Sequence, residues 1–177
     1  MKHSAYLVPA LVALAACTAY PGSIANVPGT AAVTADVRDS AGMSRGTAVA
    51  SQIGNTIRIQ VSAANMSPGA YGVHVHTVGR CDPPRFESAG GHWNPTNQQH
   101  GQQNPQGMHK GDLPNLVVGA NGRGTMTINI PGASLAGAAH RLLDADGAAL
   151  VMHASPDDYR TDPSGNSGAR IACGVFR

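Results

Sequence analysis

Histidines are concentrated in one polar stretch, residues 72–112, which contains the motifs G-V-H-V-H, H-W-N-P, Q-Q-H-G and H-K-G-D. Side chains alternate between two faces along a strand, so His74 and His76 are predicted to point the same way while Val73 and Val75 face an apolar layer. Two imidazoles on one face make a two-pronged metal ligand. For a lone H-x-H pair, however, an ordinary half-exposed strand is the simpler interpretation.

The loop that follows this pair favours the metal-binding interpretation. Gly, Pro, Asn and Gln dominate the loop, so it has few apolar residues around which to fold, and a bound ion would hold it in place. Three imidazoles and one carboxylate suit a tetrahedral zinc ion with bonds of roughly 2.0 to 2.2 Å, and imidazole-rich sites also suit copper. The candidate ligands in the loop are His92, His100, His109 and Asp112.

At these residues the chain resembles the copper/zinc superoxide dismutases. In that family an H-x-H pair binds copper, a histidine in a G-x-H-[FW]-N-P motif bridges copper and zinc, and an H-x7-H-x8-H-x2-D series binds zinc. The series occurs here from His92 to Asp112 without a change of spacing, and His153 ends the strand-like run A-L-V-M-H at the position of the fourth copper ligand. The resemblance implies one copper and one zinc per subunit. The expected copper ligands are His74, His76, His92 and His153, and the expected zinc ligands are His92, His100, His109 and Asp112.

The resemblance also assigns a role to one aspartate in the polar loop after His153. Asp157 matches a family aspartate whose carboxylate hydrogen-bonds the free ring nitrogens of one copper and one zinc ligand, here His74 and His100. Such a bond fixes the tautomer and orientation of each ring. The alternative is a solvated loop carboxylate, which we prefer for the neighbouring Asp158 but not for Asp157.

Arg170, in the motif G-A-R-I-A-C-G, matches the arginine that guides superoxide to copper. The alternative is an arginine that holds the loop by bonding backbone carbonyls, and the two roles are compatible. The implied function is dismutation of superoxide to dioxygen and hydrogen peroxide by redox-cycling copper beside a structural zinc, with Arg170 and His92 as catalytic residues. A copper- or zinc-handling module on the same fold, a chaperone or a storage domain, is the alternative function.

The composition is typical of one β-rich domain. The chain has 177 residues with 22 Gly and 12 Pro, and its net charge of +2 gives no reason to expect a nucleic-acid partner. Short runs with β-type patterning and no convincing helical period predict an all-β, eight-stranded Greek-key sandwich or flattened barrel with long metal-binding loops. A short helical turn is expected within 131–143. The predicted strands are 31–38, 47–51, 56–62, 71–77, 116–118, 124–130, 148–153 and 170–176, with a hairpin joining 116–118 to 124–130.

The first 30 residues are predicted to direct export. Residues 1–16 have a basic start and an apolar run too short to span a bilayer, which is typical of a signal peptide. The run ends in L-A-A-C, which resembles a bacterial lipobox that would make Cys17 the lipidated first residue. The next residue is Thr18 rather than Asp, which resembles the pattern of lipoproteins sorted to the outer membrane. The alternative is ordinary cleavage near this cysteine. Residues 17–30 then form a flexible tether, residues 31–177 form the dismutase domain, and the protein lies in the periplasm or cell envelope, with its lipid as the only membrane contact.

The remaining cysteines fit the same compartment. If Cys17 is lipidated, Cys81 and Cys173 are left and can pair outside the reducing cytoplasm. The family has a disulfide at the matching positions. The sequence does not determine quaternary structure and leaves a homodimer open.

Overall fold

A computed structural model of the chain describes residues 31–137 and 140–177. Within these residues the chain forms nine β-strands, and the only helical element is a short 3-10 turn at Glu87–Ala89. The strands are β1 Ala32–Asp39, β2 Ser44–Ile53, β3 Thr56–Ala63, β4 Gly69–Tyr71, β5 Val73–His76, β6 Leu116–Val118, β7 Gly124–Pro131, β8 Ala149–His153 and β9 Arg170–Val175.

Seven strands form one sheet in the order β5-β8-β9-β1-β2-β3-β7, and β4 and β6 form a second, two-stranded sheet. Every pairing between these strands is antiparallel. Strands distant in sequence are neighbours, as β5 and β8 are, which is typical of Greek-key connections. The predicted all-β architecture with long loops is therefore confirmed, with nine strands in place of eight.

The additional strand arises because the predicted strand 71–77 is divided at Gly72. The residues before Gly72 pair with β6, whereas those after it pair with β8. A Cβ atom at Gly72 would lie 2.7 Å from Ser167 Oγ, and the Gly72 N–H donates a hydrogen bond of 2.9 Å to the carbonyl of Ser155. Close packing against the loop after β8 thus marks the point where the chain passes from one sheet to the other.

The predicted hairpin between residues 116 and 130 is only partly correct. The Gly119 N–H donates to the Arg123 carbonyl at 2.9 Å, which closes the turn. The two strands nevertheless pair with different partners, β6 with β4 and β7 with β3. The predicted helical turn at 131–143 is absent from the described residues of that segment.

Alternating burial places the main core on one face of the large sheet. In β3, Ile57, Ile59 and Val61 are buried while the intervening residues face outward. In contrast, β8 is buried on both faces: Leu150 and Met152 join the main core, whereas its other face packs against the loop after β5. Because both of its faces are covered, β8 is a rigid support for the loops that carry the polar motifs.

A disulfide joins Cys81, in the loop after β5, to Cys173 in β9, with Cα atoms 5.6 Å apart. Cys173 is buried in a small apolar cluster with Phe86, Ala89 and Val151. The predicted disulfide is confirmed, and it fixes the loop after β5 to the last strand.

The predictions for the first 30 residues concern a segment outside the described part of the chain. They comprise the signal peptide at 1–16, the lipidated Cys17 and the tether at 17–30. Within the described residues, no helix is long and apolar enough to cross a membrane.

Candidate metal centre

The H-x-H pair lies on β5 beneath the following loop. His74 and His76 are fully buried, while Val73 and Val75 belong to the main core. Trp93 and Gly111 bring the loop onto this strand: the Trp93 N–H donates to the Val75 carbonyl at 2.8 Å, and the Gly111 carbonyl accepts from the Val75 N–H at 2.9 Å. A Cβ atom at Gly111 would lie 2.3 Å from the Val75 carbonyl oxygen, so this approach requires glycine.

The first group of candidate ligands comes from β5, from the loop and from the end of β8. Carbonyl acceptors decide the tautomer of two of its rings: His76 Nδ1 lies 2.8 Å from the Gly90 oxygen, and His153 Nδ1 lies 3.2 Å from the Gly168 oxygen. Each Nδ1 therefore donates, which leaves a lone pair on Nε2. One ring nitrogen from each residue lies within 4.8 Å of the others, in the set His74, His76, His92 and His153.

Four buried nitrogens in this group have no hydrogen-bond partner. They are Nδ1 of His74 and Nε2 of His76, His92 and His153. An unsatisfied buried polar atom costs about 1–3 kcal/mol, so four together are unfavourable unless one ligand satisfies them all. Burial lowers the pKa of His92 to about 4 and that of His153 to about 3, which keeps both rings neutral near pH 7. Neutral imidazoles around one space are a donor set that fits copper.

The second group surrounds the carboxylate of Asp112. Nδ1 atoms of His92, His100 and His109 lie 2.9, 3.0 and 3.0 Å from Asp112 Oδ1. Zinc bonds of about 2.0 Å in a tetrahedron put ligand atoms about 3.3 Å apart, so the spacing is close to that of a zinc site. The other oxygen, Oδ2, accepts the backbone N–H groups of Gly101 and His109 at 2.9 and 3.0 Å, which orients the carboxylate.

His92 belongs to both groups. Its Nδ1 faces the carboxylate of Asp112, whereas its Nε2 is one of the unpartnered nitrogens of the first group. The two rings that His92 lies between, His74 and His109, have centroids 4.0 and 5.4 Å from its own. One imidazole can therefore contact both metal positions.

Asp157 links the two groups a second time. Its Oδ2 lies 2.7 Å from His74 Nε2, and its carboxylate lies 3.0 Å from His100 Nε2. Burial raises the pKa of Asp157, but the hydrogen bonds from His100 and His74 outweigh this effect and hold the pKa well below its usual range. Asp157 is thus ionised and lies where the sequence predicts it, whereas Asp158 is exposed and bonds residues of its own loop, among them Thr161.

Residues 44–176 match the family model for copper/zinc superoxide dismutase. The chain belongs to this family. Its members use copper and zinc, so the predicted cofactors are confirmed, as is the prediction of a superoxide dismutase at the level of the family.

Bacterial relatives resemble the chain over most of its length. It is 52% identical over 120 residues to the superoxide dismutase-like protein YojM of Bacillus subtilis, a match covering 67% of this chain and 61% of the relative. It is 41% identical over 145 residues to superoxide dismutase [Cu-Zn] 1 of Aquifex aeolicus, covering 81% and 86%. The solved Cu/Zn superoxide dismutase of Brucella abortus superposes with a TM-score of 0.65 at 31% identity, covering 83% and 100%.

Arg170 of this superoxide dismutase family member begins β9 next to the first group. Its guanidinium donates to the carbonyls of Phe86 at 2.8 Å and Gly90 at 2.7 Å. The Gly90 oxygen also bonds His76 Nδ1, so one carbonyl orients both the arginine and a candidate copper ligand. The loop-holding role considered for Arg170 is therefore present, and burial lowers its pKa without removing the charge near pH 7.

The ring of His100 lies between two carboxylates, which favour a positive charge on the ring or bound to it. Burial lowers its pKa, but hydrogen bonds to Asp112 and Asp157 outweigh burial and raise the pKa to about 9. Either a proton or a metal ion satisfies this arrangement. In contrast, the pKa of Asp112 is held far below its usual range by His100, His109 and His92 despite the opposing effect of burial.

Several residues that support the centre have no signature in the sequence. Asn115 exchanges two hydrogen bonds with the backbone of Asp157, at 2.7 and 2.9 Å, and its own N–H donates to the Tyr159 hydroxyl at 2.8 Å. The Asp162 carboxylate accepts the His100 N–H at 2.6 Å. These bonds join the loop after β5 to the loop after β8, a long-range pairing that residue spacing does not reveal.

Proposed function

We propose that the protein dismutes superoxide to dioxygen and hydrogen peroxide, with one copper and one zinc per chain. Copper is assigned to His74, His76, His92 and His153, and zinc to His92, His100, His109 and Asp112. The observation that carries this proposal is the set of four buried, unpartnered nitrogens that share one space beside an arginine. Bound copper supplies one-electron chemistry, which zinc, having no redox change, does not.

His92 is proposed to move a proton at Nε2. Its Nδ1 is held toward Asp112, so the ring has a fixed orientation, and its Nε2 faces the first group. Burial lowers the pKa of the metal-free ring to about 4, so a proton held at Nε2 while that nitrogen binds no metal would readily pass to a basic oxygen near it. Peroxide formation requires such a proton delivery.

Arg170 is proposed to bind and orient the superoxide anion. Burial is the largest cause of the lowered pKa of His76 and His153, and the charge of Arg170 lowers both values further. Arg170 therefore lies within electrostatic reach of the first group. The two carbonyl bonds hold the guanidinium in place before the anion arrives. A fixed guanidinium offers directional donors and a permanent charge to a small anion.

The test is superoxide consumption by the purified protein, with copper and zinc measured in the same sample. His153→Ala removes one nitrogen of the first group only, so it should abolish activity and copper binding while zinc is retained. His140→Ala is the matched control, because His140 belongs to neither group. Full metal occupancy without activity in the wild-type protein would refute the dismutase proposal and favour the alternative metal-handling function.

We also propose that the protein is exported to the cell envelope and anchored in the outer membrane by lipid on Cys17. The N-terminal pattern supports export, and the Cys81–Cys173 disulfide fits an oxidising compartment. Fractionation of cells that produce Cys17→Ser tests the anchor. The variant should leave the membrane fraction and become soluble in the periplasm; retention in the membrane would contradict lipidation.

A further inference from the structure

The backbone of Gly165, which carries no side chain, packs against the hydrogen bond between Asp157 and His100. Gly165 is buried with a φ of +63°, and a Cβ atom there would lie 1.9 Å from Asp157 Oδ1 and 2.7 Å from His100 Nε2. Both distances are shorter than any real carbon contact. Any residue except glycine must therefore displace one of these groups.

The carboxylate of Asp157 is the group that the added carbon would meet first, at Oδ1, an oxygen that also accepts the Tyr159 N–H at 2.6 Å. Gly165 is fixed by its own turn, since its N–H donates to the Thr161 carbonyl at 2.6 Å and its carbonyl accepts the Asp158 N–H at 2.9 Å. The backbone of Asp157 is fixed by Asn115. A Cβ atom at residue 165 would push the carboxylate away from His100, and because the same carboxylate bonds His74, both connections would weaken.

We propose that Gly165 is a positioning residue for the zinc ligand His100 and acts on it through Asp157. This inference rests on the proposed zinc site. By leaving room for the carboxylate, Gly165 keeps the His100 ring oriented with Nδ1 toward the metal position. Loss of a group that orients a metal-bound histidine typically costs about 10–100-fold in metal affinity.

Gly165→Ala should therefore weaken zinc binding about 10–100-fold. Gly132→Ala is the matched control, because Gly132 has a φ of +64° and nothing lies within 4 Å of its Cβ position. It imposes the same backbone strain without the contact, and its zinc affinity should equal that of the wild type. Zinc affinity is measured by chelator competition, and the visible spectrum of cobalt in the zinc site reports the geometry. Equal affinities and cobalt spectra for both variants would overturn the inference.

A double-variant cycle separates positioning from general destabilisation. In Asp157→Ala the carboxylate is gone, so adding Gly165→Ala should cost less than about threefold in zinc affinity; the ring of His100, freed from its bond, can move to relieve the remaining contact. A full additional loss would show that Gly165 does not act through Asp157. If Gly165→Ala alone does not fold, the double variant should fold, and its failure would also overturn the inference. Absence of zinc binding by the wild-type protein would instead refute the proposed function.

Discussion

Replacing both Cys81 and Cys173 by serine should lower the free energy of unfolding of the metal-free protein by about 4–5 kcal/mol. The cysteines are separated by 92 positions, so the bond closes a loop of 92 + 1 = 93 residues. In the chain-entropy model, a loop of this length reduces the entropy of the unfolded chain by about 16 cal/mol/K, or about 4.7 kcal/mol at 25 °C. Cys173 is 3% exposed, so a serine hydroxyl buried there adds to the loss.

The assay is urea unfolding of chelator-treated protein with and without a thiol reductant. On reduction the wild-type protein should lose slightly less stability than the double serine variant loses by mutation, because the variant also buries a serine hydroxyl. The variant itself should not respond to reductant. If reduction lowered the free energy of unfolding of the wild-type protein by less than about 1.5 kcal/mol, the reasoning would be refuted, because the reduced unfolded chain would then be almost as restricted as the oxidised one.

Two further results are expected. Arg170→Ala should retain copper and zinc but consume superoxide at least about tenfold more slowly at low ionic strength, because a fixed positive charge is lost; an unchanged rate would contradict its role. Metal-free protein should lose stability between about pH 6.5 and 5, since the unfolded chain binds protons below about pH 6.5 while burial holds the pKa of His92 and His153 to about 4 and 3. The two histidines together contribute about 3 kcal/mol over this range, measured by urea unfolding at each pH. His100, whose pKa is raised to about 9, acts with opposite sign and mainly above about pH 6.5. Equal stability at both values would refute this assignment.

The candidate ligands of the polar stretch could be predicted because histidine and aspartate side chains bind metal ions, whereas their division into two groups, and the place of His153, followed from the resemblance to the family. His92, His100, His109 and Asp112 occur at a spacing that needs no knowledge of the fold, and the alternation along β5 places His74 beside His76. The strands could be predicted for a different reason, because polar and apolar residues alternate along them with period two. Most strand ends differ from the prediction by only a few residues.

Features that depend on long-range packing could not be predicted in this way. The division at Gly72 results from contact with Ser167, which lies 95 residues later in the sequence. Likewise, Asn115 and Tyr159 have no local pattern, because an asparagine after a proline or a tyrosine in a polar loop is ordinary in sequence. Their roles exist only because two loops meet over Asp157.

The meeting of these loops has an energetic consequence. Much of the loop after His92 is exposed and polar, so apolar burial supplies little of the free energy that orders it. Its order depends on bonds such as those of Asp112 and Asp157, whose histidine partners are also the candidate metal ligands. A metal ion bound by these rings therefore stabilises the loop through the same interactions that hold the metal. Metal affinity and loop order are thus thermodynamically coupled. For this reason a change at Gly165, which touches no metal position, is expected to be detected first as a change in zinc affinity.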